Sequence, residues 1–389
     1  MTGFPRILAF HFAFCILNFA LLSAADDKNN VPTVPPPGVE PFNPKPLMDK
    51  LNERIKTDVF KFAVLGDAKH AKTLPGLLKY LDETVSPDFV LTTGDMVASG
   101  GGKVGPGYYE MLSKEAGEQM RKRPWWPAIG NHELAGGAIT GKDALKDDSE
   151  KMRANQASGI ANFKQFYALD NDYYSFTFRN GAFIALPFRY PTGKQVEWLE
   201  SELKKASEAK LHIFVFNHAP FFTVGNKPAK EVPNKETDVT ALFQKYGVKA
   251  VFSGHDHGYY RTVRGGIPYF TSAGGGAAIY PATRAKEALP EDVYYYGVAS
   301  SFLKGAEKEK EAPLPGSAPE PEKKTDASAE KPAATGGRKY ALHKNDGSPD
   351  TITETPEQFL CVVEVNGNKI VCRCITAKGE TWDEIQLSK

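Results

Sequence analysis

Val248-Lys249-Ala250-Val251-Phe252-Ser253-Gly254-His255-Asp256-His257 is the stretch on which the reading of the chain turns. Val248–Phe252 is short, apolar and β-branched, as a buried strand should be. It then breaks at Ser253-Gly254 into two histidines and an aspartate, residues that an apolar interior does not tolerate without partners. A strand that delivers imidazoles to the edge of a sheet points to a ligand site, because in open α/β sheets such sites form where strands end.

The same pattern recurs outward from it. Val59–Leu65 runs into Gly66-Asp67, and Phe89–Thr93 into Gly94-Asp95. Trp126–Ile129 runs into Gly130-Asn131-His132-Glu133, and Ile213–Phe216 into Asn217-His218. Helical spacing lies between them, at Gly76–Asp82, at Lys194–Ala209 (Val196, Trp198, Leu199, Leu203) and at Val239–Tyr246. Tyr174–Phe178 and Ala182–Leu186, with Asn180-Gly181 between, read as a hairpin. Strands alternating with helices predict an α/β protein.

Taken singly, each motif has an ordinary explanation. A Gly-Asp pair after a strand is a common turn or helix cap, and a strand-end histidine such as His218 is commonly a satisfied polar residue. Five such motifs, in order and each after a strand, are not ordinary. Four of the eight histidines fall in them. Carboxylates, imidazoles and one carboxamide are ligands suited to Zn, Mn or Fe and not to thiolate-selected metals. Two metals ~3.5–4 Å apart clamp the attacking and leaving oxygens of an in-line phosphoryl displacement, and a carboxylate is their natural bridge.

At 389 residues the chain is long enough for a sizeable core, with 41% hydrophobic and 24% charged residues. Its formal net charge of +1 provides no basic field for nucleic acid or for a membrane surface. Residues 1–25 read as a secretory signal: Arg6, the apolar run Ile7 to Leu22, then Ser23-Ala24-Ala25. That predicts export to a periplasmic or extracellular location, with membrane contact only through the signal. Residues 26–56 are rich in Pro and Asn and read as a spacer. Residues 57–303 are assigned to the catalytic domain. Residues 304–357 are read as a low-complexity insertion, since Glu, Lys, Ala and Pro dominate and cannot build a core. Residues 358–389 are read as strands completing the same domain. If Asn366-Gly367 makes a two-residue turn, Cys361 falls opposite Cys372, with Cys374 on the same face. One disulfide with a free thiol and three buried thiols both satisfy that pattern.

These motifs resemble those of the calcineurin-like metallophosphoesterases, in the family's order and over roughly Val59 to Tyr280 plus the terminal strands. The resemblance implies two packed mixed β-sheets flanked by helices, a four-layer αββα sandwich. It implies that Asp67 and His257 hold metal one and that Asp95 bridges. It gives metal two the ligands Asn131, His218 and His255, and His132 the departing oxygen. Many members carry D-x-H in the first motif; here Asp67-Ala68-Lys69-His70 puts the histidine one residue late. Either His70 bends back to metal one, or water or substrate completes that shell. The purple acid phosphatase branch is nearest, through Gly258-Tyr259-Tyr260-Arg261, but its tyrosine ligand is replaced by Ala98. Lys69, His70, Phe221, Phe222, Tyr259 and Arg261 adjoin the motifs and are candidates for the cleft, His70, Tyr259 and Arg261 as possible metal or substrate contacts.

The expected reaction is direct attack on a small phosphate ester by a metal-bridging hydroxide, with no covalent phosphoenzyme. A phosphomonoesterase is the leading reading. A phosphodiesterase acting on nucleotides or lipid head groups, and a degenerate binding module without catalysis, are the alternatives.

Overall fold

The computed structural model describes residues 40–134, 150–188, 190–225, 238–297, 339–344 and 346–387. The signal at 1–25 and residues 304–338 of the insertion lie outside the described residues. In chain order the helices are α1 (Pro44–Arg54), α2 (Leu74–Tyr80), α3 (Gly105–Lys122), α4 (Asn131–Leu134), α5 (Glu150–Tyr167), α6 (Lys194–Glu208) and α7 (Thr240–Tyr246). The strands of the first two thirds are β1 (Val59–Leu65), β2 (Phe89–Thr92), β3 (Trp125–Pro127), β4 (Tyr174–Phe178), β5 (Gly181–Ala185), β6 (His212–Phe216) and β7 (Val248–Ser253). Then come β8 (Tyr259–Arg264), β9 (Ile267–Ser272), β10 (Val293–Gly297), β11 (Tyr340–Lys344) and β12 (Thr351–Thr353). The chain closes with β13 (Phe359–Asn366), β14 (Lys369–Thr376) and β15 (Thr381–Gln386).

The strands form two mixed sheets. One has the order β15-β14-β13-β1-β2-β3, with β1, β2 and β3 parallel and β13 antiparallel to β1. The other has the order β12-β11-β10-β8-β9-β7-β6-β5-β4, with β5, β6, β7 and β9 parallel. Sheet faces turned toward each other bury an aromatic seam: Phe62 is fully buried, its ring 5.3 Å from that of Phe89 and 5.2 Å from that of Phe214 across the gap. Burying one phenylalanine contributes roughly 1.5–3 kcal/mol, so this seam is a main bond between the sheets. The outer face of the first sheet is covered by α2, α3 and α5 through Leu77, Leu112 and Phe166. That of the second is covered by α6 and α7 through Leu199, Leu203 and Phe243. The result is the four-layer αββα sandwich.

Three stretches differ from the sequence reading. Helix α1 lies within the stretch read as spacer. Pro44 presets its first turn, the Asn43 side chain accepts the Lys45 N–H at 3.0 Å, and Met48 and Leu51 bury an apolar face. Strands β11 and β12 lie inside the range read as insertion, and extend the second sheet from β10. The β13–β14 turn sits one residue later than expected, at Gly367-Asn368, with Gly367 at φ 58° and Asn366 paired with Lys369. That shift moves the pairing by two: Cys361 stands opposite Cys374, and Cys372 opposite Val363. All three are buried free thiols. Among the described residues no helix is long and apolar enough to cross a membrane.

Candidate metal centre

Each motif residue follows the end of a strand at one edge of the two-sheet stack. Asp67 follows β1, Asp95 follows β2, Asn131 and His132 open α4 after β3, His218 follows β6, and His255 and His257 follow β7. The backbone there is held in left-handed conformations that non-glycine residues seldom adopt, with φ 59° at Asp67, 56° at Asp95 and 69° at His255. Cross-loop bonds keep them so. Asp67 N–H donates to Gly94 O at 3.0 Å, Gly254 N–H to His218 O at 2.9 Å, and His255 N–H to Asp67 Oδ2 at 3.0 Å. Gly94 must be glycine, because its φ is 89° and a Cβ would stand 2.8 Å from Gly130 N and 2.9 Å from His218 Nδ1.

The side chains converge as two donor sets that share one carboxylate. Ligand atoms of Asp95, His218 and His255 lie within 4.8 Å of one another, and so do those of Asp67, Asp95 and His257. Asn131 joins the first of these sets, its Oδ1 3.0 Å from His218 Nε2. The imidazoles are aimed by the nitrogen that does not face the cradle: His218 Nδ1–H donates to Thr93 O and His257 Nδ1–H to Ala278 O, both at 2.6 Å. Nε2 of each is thereby left to the donor set. Asp95 Oδ2 is buried and faces nitrogen on two sides, the Lys69 ammonium at 3.0 Å and His132 Nε2 at 3.8 Å. A buried carboxylate oxygen matched by positive charge, among imidazoles and a second carboxylate, suits a metal ion.

Residues 60–259 match the family model of the calcineurin-like phosphoesterases. The chain belongs to that family.

Its likeness to individual members is distant. Two uncharacterized proteins of Mycobacterium tuberculosis, from strains CDC 1551 and H37Rv, are each 26% identical over 196 residues. The match takes in 46% of this chain, which spans only 36% of the length of those relatives. Among solved structures, a purple acid phosphatase from yellow lupin seeds has a TM-score of 0.54 at 14% identity, over 85% of this chain and 54% of that one. A dimetal phosphatase from Danio rerio has a TM-score of 0.47 at 12% identity, over 85% of this chain and 99% of that one. The lupin enzyme supports the shared fold. Family membership stands beside two donor sets whose residue types suit two metal ions.

The first motif departs from a plain ligand loop. Lys69, at φ 45°, turns inward: its Nζ lies 3.0 Å from Asp95 Oδ2 and 2.9 Å from His257 Nε2. His70, at φ 60°, turns the other way, its Nδ1 2.8 Å from Glu115 Oε2 and its ring stacked on Tyr108. The late histidine is thus bonded to α3 and not to the cradle. Tyr259 and Arg261 also stand apart from it. The Tyr259 hydroxyl donates to Asp383 Oδ2 at 2.6 Å and Arg261 clamps the same carboxylate through Nε and a terminal nitrogen, tying β8 to β15. Phe221 is buried against α7, its ring 5.4 Å from that of Phe243.

Electrostatics distinguish the two carboxylates. Burial, with Asp95 close by, pushes Asp67 up to about 6 against the pull of His218 and Lys69. Burial opposes the charge on Asp95 too, but His218, Lys69 and His132 outweigh it and hold that carboxyl well below the usual range. The shared ligand is therefore the more readily ionised of the two. Burial, aided by Lys69 and His218, lowers His132 to about 4 despite Asp95. Its Nδ1–H donates to Ala98 O at 2.6 Å, so Nε2 faces the cradle, 3.8 Å from Asp95 Oδ2.

Three contributors were not assigned a role from sequence. Glu133 is buried and accepts the backbone N–H groups of Asp95, Met96 and Gly130 at 2.7–2.8 Å, locking the second and third motif loops together. Burial, with Asp95 beside it, pushes its carboxyl up to about 7. Tyr280 stacks on His257 at 4.0 Å, and Phe188 lies 5.8 Å from the His218 ring. Glu133 had a signal, its place in Gly130-Asn131-His132-Glu133. The two aromatics had none.

Proposed function

We propose that this chain is an exported phosphomonoesterase that takes small phosphate esters. The observation that carries the reading is Asp95, one ionised carboxylate common to two donor sets, with His132 Nε2 beside it. The purple acid phosphatase of the same fold hydrolyses phosphate esters, as its name states, which favours the monoester reading. When bound, the two ions supply an acidified water and positive charge for the phosphoryl oxygens.

The chain's own residues do the rest. Asp67, Asp95, Asn131, His218, His255 and His257 fix where the phosphoryl group rests. His132 is pinned through Nδ1, so Nε2 is the atom turned to the departing oxygen, and it hands over a proton there only as the imidazolium, which burial disfavours in the free chain. Glu133 keeps the Asp95 and His132 loops in register. Low exposure of these groups keeps bulk water from screening the charges.

Purified chain, loaded with Mn or Zn and given nitrophenyl phosphate and bis-nitrophenyl phosphate, tests the reading. The monoester should turn over faster, and His132→Ala should lower its turnover ~10²–10⁴-fold while metal content stays level. Preference for the diester would replace the proposal with a phosphodiesterase; full activity in the alanine variant would remove the role of His132. Export is checked separately, by the mass of the processed chain recovered outside the cytoplasm, with a start near Asp26 expected.

A further inference from the structure

Lys69 occupies a place where its side chain and the first metal ion need the same lone pair. His257 donates through Nδ1–H to Ala278 O, which leaves Nε2 with a single lone pair directed at the cradle. The Lys69 ammonium takes it at 2.9 Å, and ion-pairs with a second donor of that set, Asp95 Oδ2, at 3.0 Å. A nitrogen lone pair serves a proton or a metal, not both. The direction of the lysine is built into the backbone. Asp67, Lys69 and His70 have φ of 59°, 45° and 60°, and the Lys69 N–H is bonded to Asp95 O at 3.1 Å. With those angles residue 69 enters the cradle and residue 70 leaves it for Glu115.

Among the described residues, the donors of the other set besides the shared Asp95 meet no such ammonium. His218 Nε2 faces Asn131 Oδ1 at 3.0 Å, Asp95 Oδ1 at 3.3 Å and His255 Nδ1 at 3.1 Å. It also offers four protein ligands, against three on the Lys69 side, and Asp95 counts in both.

We propose that Lys69 is a built-in competitor for the first metal position, so that the two ions bind in a fixed order. The ion on Asp95, Asn131, His218 and His255 enters first. The ion on Asp67, Asp95 and His257 enters only by displacing the ammonium, at higher metal concentration. Completion of the centre, and with it hydrolysis, is then set by metal supply. The inference rests on the reading of the cradle as a two-metal centre.

Equilibrium dialysis of the full chain against graded Mn(II), with metal counted by mass spectrometry, reads both affinities without reference to activity. The wild type should bind one ion tightly and a second at least ~10-fold more weakly. Lys69→Met keeps the volume and removes the charge, and should tighten the weak ion ~10-fold or more while leaving the tight one unchanged. Lys69→His places an imidazole at the inward position and should tighten it further. Mn(II) electron spin resonance is the second readout: at one equivalent the wild type should show an isolated ion, without coupling to a neighbour. Two ions of equal affinity in the wild type, or no tightening in either variant, would overturn the role of Lys69. Failure of any ion to bind would instead overturn the metal-centre reading.

Discussion

On one side of Asp95 the ligand atoms face one another: His218 Nε2 lies 3.0 Å from Asn131 Oδ1 and 3.1 Å from His255 Nδ1. On the other side His257 Nε2 lies 3.4 Å from Asp67 Oδ1, and an ammonium stands among the donors at 2.9–3.0 Å. The second metal position is completed by neutral donors drawn from three separate loops. The first has fewer donors and an internal cation. Both sides are built at the same sheet edge and share a carboxylate, so the inequality comes from a single loop, Asp67 to His70. A ligand set and its occupant are thus separable features: one loop can weaken one position while the fold keeps the other intact.

The largest effect should follow loss of what the two sides share. Asp95→Ala removes a donor from both, and is expected to abolish binding of both ions and lower turnover at least ~10⁴-fold. Metal counting after dialysis checks this together with the rate. Retention of one ion would mean that the two donor sets are more independent than their common carboxylate implies.

A smaller and more discriminating effect comes from removing one imidazole on each side. His218→Ala should weaken the tight ion by more than ~100-fold, because ligand loss costs at least as much as loss of an outer-shell partner. His257→Ala should leave the tight ion in place and abolish the weak one. It also removes a partner of Lys69. Dialysis curves for the two variants would carry opposite signatures, one losing its early step and the other its late step. Identical curves would break the comparison.

How much of this was legible depends on where each partner lies in the chain. Strand ends at Leu65, Thr92, Phe216 and Ser253 are announced locally, by an apolar run that stops at glycine, asparagine or serine. The residues that follow could therefore be set on one sheet edge. The direction of Lys69 and His70 was not legible, because it depends on left-handed backbone angles that neither residue type signals. Tyr259 and Arg261 lie beside a motif, but their partner Asp383 is more than 120 residues further on, on a strand of the other sheet that reaches them only when the two sheets pack. The β8–β9 hairpin carries a local signal in Gly265-Gly266, between a run rich in tyrosine, threonine and valine and the apolar run Ile267–Phe270. Helix α3 buries Tyr109, Leu112, Ala116 and Met120 at helical spacing, but a Gly-Pro-Gly start obscures it.

The smallest expected effect concerns the side chain that left the cradle. His70 is held by Glu115 across a partly exposed contact, whose loss costs about 0.5–1 kcal/mol. Glu115→Ala should therefore lower thermal stability slightly and leave both metal affinities within about threefold, since the left-handed backbone at Lys69 and His70 still aims the histidine outward. Dialysis and a melting curve on the same sample test it. Tightening of the weak ion in this variant, and its reversal when His70→Ala is added, would show that Glu115 alone keeps His70 from the metal. The inequality of the two positions would then originate in a surface ion pair on α3, and the competing lysine would be secondary. Unchanged metal binding would leave the Asp67–His70 backbone as the source of the inequality, with Lys69 as its agent.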